Sequence, residues 1–174
     1  MRVRAETSPI EIQINSNTGF YAFARYHDED GNPLASGPLP PKVGQTTTYR
    51  VFWEVRNSLH DLHKGSTTAN LPPGIIWTGN SASDIGTIIF DETTRLVTWN
   101  IDGLPASIPR VGAWFDVSVT PQSSDVGTFV KLINPIAFEI TDKETDDTIH
   151  ASTPILDTEI PQDQFAKGKG TVEE

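Results

Sequence analysis

His60, Asp61 and His63 fall within the single stretch "HDLH", a spacing that invites a metal ion. A tetrahedral zinc site needs convergent ligands and a third or fourth partner from elsewhere in the chain. A step of three residues in a loop does not by itself make two imidazoles converge, so a solvated loop is the competing reading. Asp28, Asp30 and Asn32, in "HDEDGN", offer oxygens of the kind calcium takes. Gly31 is out of register for an EF-hand loop and Pro33 follows it, so an ordinary hairpin turn competes with calcium as the explanation. Calcium is the only cofactor this pattern suggests.

The four tryptophans divide by phase. Trp53 and Trp99 alternate with valines on one strand face and belong to a core. Trp114 is out of phase with Phe115 and Val117, and Trp77 follows a proline corner, so these two are the candidates for an exposed carbohydrate-binding platform. Lys131 and Asn134 are close enough in sequence to raise the idea of an amide crosslink, but alternation turns Lys131 away from Val130 and Leu132. No Ser-His-Asp arrangement, glycine-rich phosphate loop or basic patch stands out. Asp84, Asp91 and Asp102 read as turn residues, and catalysis is not expected.

The elements that carry these residues are strands. In "TTTYRVFWEVRN", Tyr49, Val51, Trp53 and Val55 share a face, against Arg50, Phe52, Glu54 and Arg56. "TRLVTWNI" places Val97, Trp99 and Ile101 together, and "AWFDVSVT" does the same for Ala113, Phe115, Val117 and Val119. Such period-2 alternation predicts strands with one buried face. "IEIQIN" and "TFVKLINPIAFEIT" repeat the theme, with Pro135 marking a bulge or a change of partner. "DEDGNP", "FDETTRLV" and "TDKETDDTIH" predict hairpins. In "ANLPPGIIW", Pro72 and Pro73 cannot donate to a ladder and Gly74 allows a sharp turn, so the chain leaves one sheet for the other there. The reading is an all-β chain, an immunoglobulin-like Greek-key β-sandwich with a core of Val51, Trp53, Val55, Val97, Trp99, Phe115, Val117 and Val119.

Composition agrees. The chain has 174 residues, 36% of them hydrophobic, with 13 Gly and 13 Pro, which suits short strands and many turns. A formal charge of -10 repels phosphate backbones, so nucleic acid is excluded as a partner class. There is no cysteine, hence no disulfide or thiolate chemistry. No apolar run is long enough for a membrane span, and the first residues lack the hydrophobic region of a signal peptide.

The order of "TYRVFWEVRN", "LPPG", "LVTWNIDGLP" and "WFDVSVTP" resembles the repeat known as domain of unknown function eleven, found in large surface proteins of bacteria and archaea. The matching segments are Tyr49–Asn57, Leu71–Gly74, Val97–Pro105 and Phe115–Val119. The resemblance implies a sandwich strung along an exported or cell-surface protein as spacer, adhesin or envelope component. Its partners would be neighbouring domains of the same protein or envelope components. The expected layout is a flexible flank at 1–8, a sandwich at 9–161 and a flexible linker at 162–174. Within the sandwich, 9–45 supply extra strands and a connector to a family-like core at 46–153. "PIEIQI" is a candidate edge strand for self-assembly by strand addition. The expected role is structural, spacing or assembling other domains, with carbohydrate or protein binding as the alternative.

Overall fold

The structure, a computed structural model, describes residues 14–174. Its strands are β1 (Gly19–Arg25), β2 (Thr47–Arg56), β3 (Leu62–Asn70), β4 (Ile75–Ser83), β5 (Thr87–Asp91) and β6 (Leu96–Leu104). They continue with β7 (Arg110–Val119), β8 (Lys131–Ile133), β9 (Ile136–Asp142), β10 (Thr148–Thr153) and β11 (Leu156–Asp157). One sheet has the order β1-β2-β7-β4, the other β10-β9-β3-β6-β5, and β11 pairs with β8 in a small ribbon. The molecule is an immunoglobulin-like Greek-key β-sandwich. No helix among the described residues is long and apolar enough to cross a membrane.

Alternation builds the core as the pattern predicts. Tyr49, Val51, Trp53 and Val55 of β2 are sealed, as are Val97, Trp99 and Ile101 of β6 and Phe115, Val117 and Val119 of β7. Trp53 and Phe115 meet edge to face at 5.1 Å. The Trp99 indole donates its N–H to the Ile85 carbonyl at 2.9 Å, so this large ring is buried without stranding its polar atom. Each such side chain contributes about 1.5–3 kcal/mol of burial.

The proline corner joins β3 in one sheet to β4 in the other. Leu71 and Ile75 flank it, both buried, and Gly74 takes φ +86°, a value L-residues avoid. Three carbonyls around the corner are gathered by one side chain. Arg95, from the β5–β6 turn, donates Nε to Leu71 (3.1 Å) and Nη2 to Pro72 (2.8 Å), and its Nη2 also reaches the Ile75 carbonyl. Pro135 is a change of partner: β8 before it pairs with β11, and β9 after it pairs with β3 and β10.

"FDETTRLV" and "TDKETDDTIH" close the β5–β6 and β9–β10 hairpins. "DEDGNP" does not join two strands of a sheet. It makes a tight turn closed by a single His27–Pro33 bridge, because β1 takes β2 as its partner along its whole length. Residues 1–8, and all of "PIEIQI" but Ile14, lie outside the described residues.

The expected linker at 162–174 is corrected. Asp163, Ala166 and Val172 are at most 2% exposed. Val172 bridges Val126, Glu173 bridges Lys42, and the Glu173 amide donates to the Pro41 carbonyl at 2.9 Å. Backbone bonding and one buried acid order this polar segment; its lack of apolar periodicity made it look like a tether.

The first and last described segments stand at opposite poles. Ser16 is bonded to Asp142 and His60, where β2 ends and β3 begins. Glu173 is bonded to Pro41 and Val43, just before β2 begins. Between them runs β2, ten residues and so roughly 33 Å.

Candidate ligand-binding face

The outer face of the β1-β2-β7-β4 sheet is a grid set by strand register. Phe23, Phe52 and Trp114 lie side by side across β1, β2 and β7. On one side of this aromatic lane runs Arg25, Arg50 and Asp116; on the other, Tyr21, Glu54 and Gly112. The residues that alternate with the core therefore form a second, half-buried layer of rings and charges.

The charges are paired and fixed. Arg50 grips Asp116 through two hydrogen bonds, 2.7 and 2.9 Å, while its guanidinium lies 3.6 Å above the Trp114 ring. Glu54, only 5% exposed, accepts from Arg56 and Arg110, each at 2.6 Å. Arg56 in turn lies over Tyr21 at 4.6 Å. Phe23 and Phe52 stack at 5.2 Å. Planar guanidiniums held by both carboxylate and ring keep their geometry without a ligand.

A groove of about 330 Å³ opens beside the lane, lined by Phe23, Phe52, Glu54, Asp84, Arg110, Gly112 and Trp114 among others. Asp84 fixes its rim by accepting the Gly112 amide at 2.7 Å. A Cβ on Gly112 would meet its nearest atoms at 3.5 and 3.6 Å, ordinary contacts, so crowding does not demand glycine here. What the missing side chain leaves is the groove. A second depression of about 380 Å³ shares Phe23, Glu54 and Arg110 and continues past Tyr21 and Arg56.

The other sheet's outer face is different in kind. Its cross-strand rows read Thr87, Asn100, Ser66, Glu139, His150 and Ile89, Thr98, Thr68, Ala137, Ser152. Small and hydroxyl side chains prevail, and no Phe, Tyr or Trp appears in these rows.

The sequence-predicted site residues scatter. Trp114 belongs to the aromatic face. Trp77 does not: its ring stacks on Phe90 (5.3 Å) and on Phe115 (5.1 Å), at the fringe of the core. His60, Asp61 and His63 point to separate partners. The His60 Nδ1 lies 2.9 Å from Asp142, Asp61 accepts the Ala106 amide at 2.8 Å, and His63 Nε2 is buried without a hydrogen-bond partner. Asp28 accepts the amides of Asp30 and Asn32 and the Asn32 side-chain NH₂, which holds its carboxyl below the ordinary value and closes the turn. Among the described residues no group of three His, Asp or Glu side chains converges as a metal site. Lys131 is exposed on β8, and no described lysine is buried. Phe23, Phe52, Arg110 and Gly112 were not singled out from sequence. Phe52 carried a signal, as an aromatic in antiphase to its strand's core residues.

No protein-family model matches the chain, and no curated protein sequence does. Solved structures do. The major pilin subunit of Bacillus cereus aligns with TM-score 0.52 at 12% identity, covering 82% of this chain and 41% of that one. The full-length major pilin of Corynebacterium diphtheriae gives 0.47 at 12% identity, over 81% and 34%. Three N-terminal domains of the type V pili tip protein of Porphyromonas gingivalis give 0.47 at 13%, over 59% and 22%. The chain thus spans less than half the length of each. The first of these likenesses bears on the fold: this chain is similar to an immunoglobulin-like domain of a bacterial surface protein.

Proposed function

We propose that the chain is a non-enzymatic structural module of a bacterial or archaeal surface protein, of the kind its motif order resembles, the repeat called domain of unknown function eleven. The observation that carries this reading is the placement of the first and last described segments. Ser16 and Glu173 lie at opposite poles, so domains attached beyond these two segments would be held apart along the direction of β2. Each end is fastened by a buried aspartate. Such a geometry spaces its neighbours by roughly the length of one ten-residue strand plus its caps. The fold-level likeness to a major pilin subunit, itself part of an assembly outside the cell, supports the same localisation and the same class of partners: adjoining domains and envelope components.

The test is force spectroscopy on a tandem polyprotein of this chain. Each module is expected to unfold in one resolved event at a force above that of an unstructured linker. Modules that extend without a resolvable event would overturn the mechanical role.

A further inference from the structure

We infer that the trough on the outer face of the β1-β2-β7-β4 sheet binds a neutral oligosaccharide. This does not depend on the mechanical reading, which concerns the poles rather than the faces.

Four features converge on that ligand class. The lane of Phe23, Phe52 and Trp114 spans three adjacent strands, roughly 10 Å; with Phe23 stacked on Phe52 and Arg50 over Trp114, it presents ring edges and a guanidinium plane as the floor for the C–H groups of sugar rings. The polar groups beside it are carboxylate–guanidinium pairs locked before any ligand arrives, Glu54 with Arg56 and Arg110 and Asp116 with Arg50. The exposed halves of the Glu54 pairs are the guanidiniums, Arg56 at 58% and Arg110 at 67% against 7% for the Glu54 side chain, so fixed donors meet the accepting lone pairs of sugar hydroxyls. Charge favours a neutral guest: Arg50, Arg56 and Arg110 are matched by Glu54, Asp84 and Asp116, on a chain of net charge -10. The two depressions meet at Phe23, Glu54 and Arg110, making one trough with room for consecutive sugar units. Gly112 keeps the first depression open though nothing nearby forbids a side chain.

The test titrates the full chain with cellohexaose, chitohexaose and mannohexaose, following heat and tryptophan fluorescence. Polygalacturonate and a concentration series of the protein alone form the other arms. Binding of at least one neutral hexamer, weakened about tenfold or more by both Trp114→Ala and Gly112→Val, is the expected result. Gly112→Val fills the trough with a side chain suited to a strand, so it keeps the fold even where Trp114→Ala does not. Three outcomes overturn the inference: no neutral hexamer binds, only polygalacturonate binds, or binding survives Gly112→Val. So does self-association that Gly112→Val abolishes, since the face is then a contact between copies. None of these moves the unfolding force.

Discussion

The two poles of the sandwich are fastened by the same chemistry in different surroundings. At the entry pole, one Asp142 oxygen takes the amides of Glu144 and Thr145 in its own turn, while the other takes the Ser16 amide at 2.7 Å beside His60. At the exit pole, one Asp163 oxygen takes the amides of Phe165 and Ala166, and the other takes those of Tyr26 and His27 beside the His27 ring. Both carboxylates have side chains 0% exposed. Asp142, however, ends β9 within a five-stranded sheet, whereas Asp163 sits in a coil whose other attachments are mostly single backbone bonds. A buried carboxylate with four or five donors can therefore order a polar segment, and what it is attached to decides whether its loss is felt globally or locally.

Asp142→Ala is the severest break. It strands the Ser16, Glu144 and Thr145 amides in a place that cannot open without opening the β9–β10 hairpin. A loss of about 3 kcal/mol is expected, lowering Tm by roughly 10 °C. Asp163→Ala removes the acceptor of four amides rather than three, but in a segment that can peel away and rehydrate. Its global cost is expected at about 2 kcal/mol, with a signature the first variant lacks: rapid hydrogen exchange and proteolysis confined to residues 160–174. Equal exchange profiles in the two variants would erase the distinction between the poles.

The contrast also marks what the sequence could and could not tell. Dyad alternation made β2, β6 and β7 legible, and every expected core residue from Val51 to Val119 is buried, because that signal is local and each strand carries it whole. The corner at Leu71–Gly74 and the break at Pro135 were legible for the same reason: proline's missing donor acts where it stands. The aspartate clasps were not. Asp142 and Asp163 look like any turn or tail acid until residues 126 and 137 positions away bring amides to them. The aromatic face was half legible. Trp114 was picked out by its phase, but Phe23 joins it only through the β1–β2–β7 register, which no window of the sequence contains.

Acid should loosen both poles. Burial alone would raise the two carboxyl pKa values, yet the amides of Ser16 and Glu144 with the His60 ring at Asp142, and of His27, Tyr26 and Phe165 at Asp163, bring both below the ordinary 3.8. A folded-state pKa below the unfolded one gives stability that is full above the unfolded value and lost as pH falls through the folded one. Stability is expected to decline below about pH 4. An Asp142→Asn chain should be weaker at neutral pH but decline less steeply, since it no longer takes up that proton. Urea midpoints across the acid range check this, and parallel slopes would remove Asp142 as a source.

The mildest test asks whether the exit pole needs the aromatic cover of Phe165. Phe165 is 39% exposed, lies 5.9 Å from the His27 ring, and packs so closely on Gly31, at φ +88°, that a Cβ there would come within 3.0 Å of it. Its ring thus covers the turn from outside while Asp163 holds the same turn from within. If the carboxylate is the fastener, Phe165→Ala should cost only about 0.5–1 kcal/mol, the value of a half-exposed ring, and leave exchange at 160–174 slow. A loss as large as that of Asp163→Ala would mean that apolar cover, rather than amide capture, fixes this end, and the likeness between the two poles would be one of appearance only.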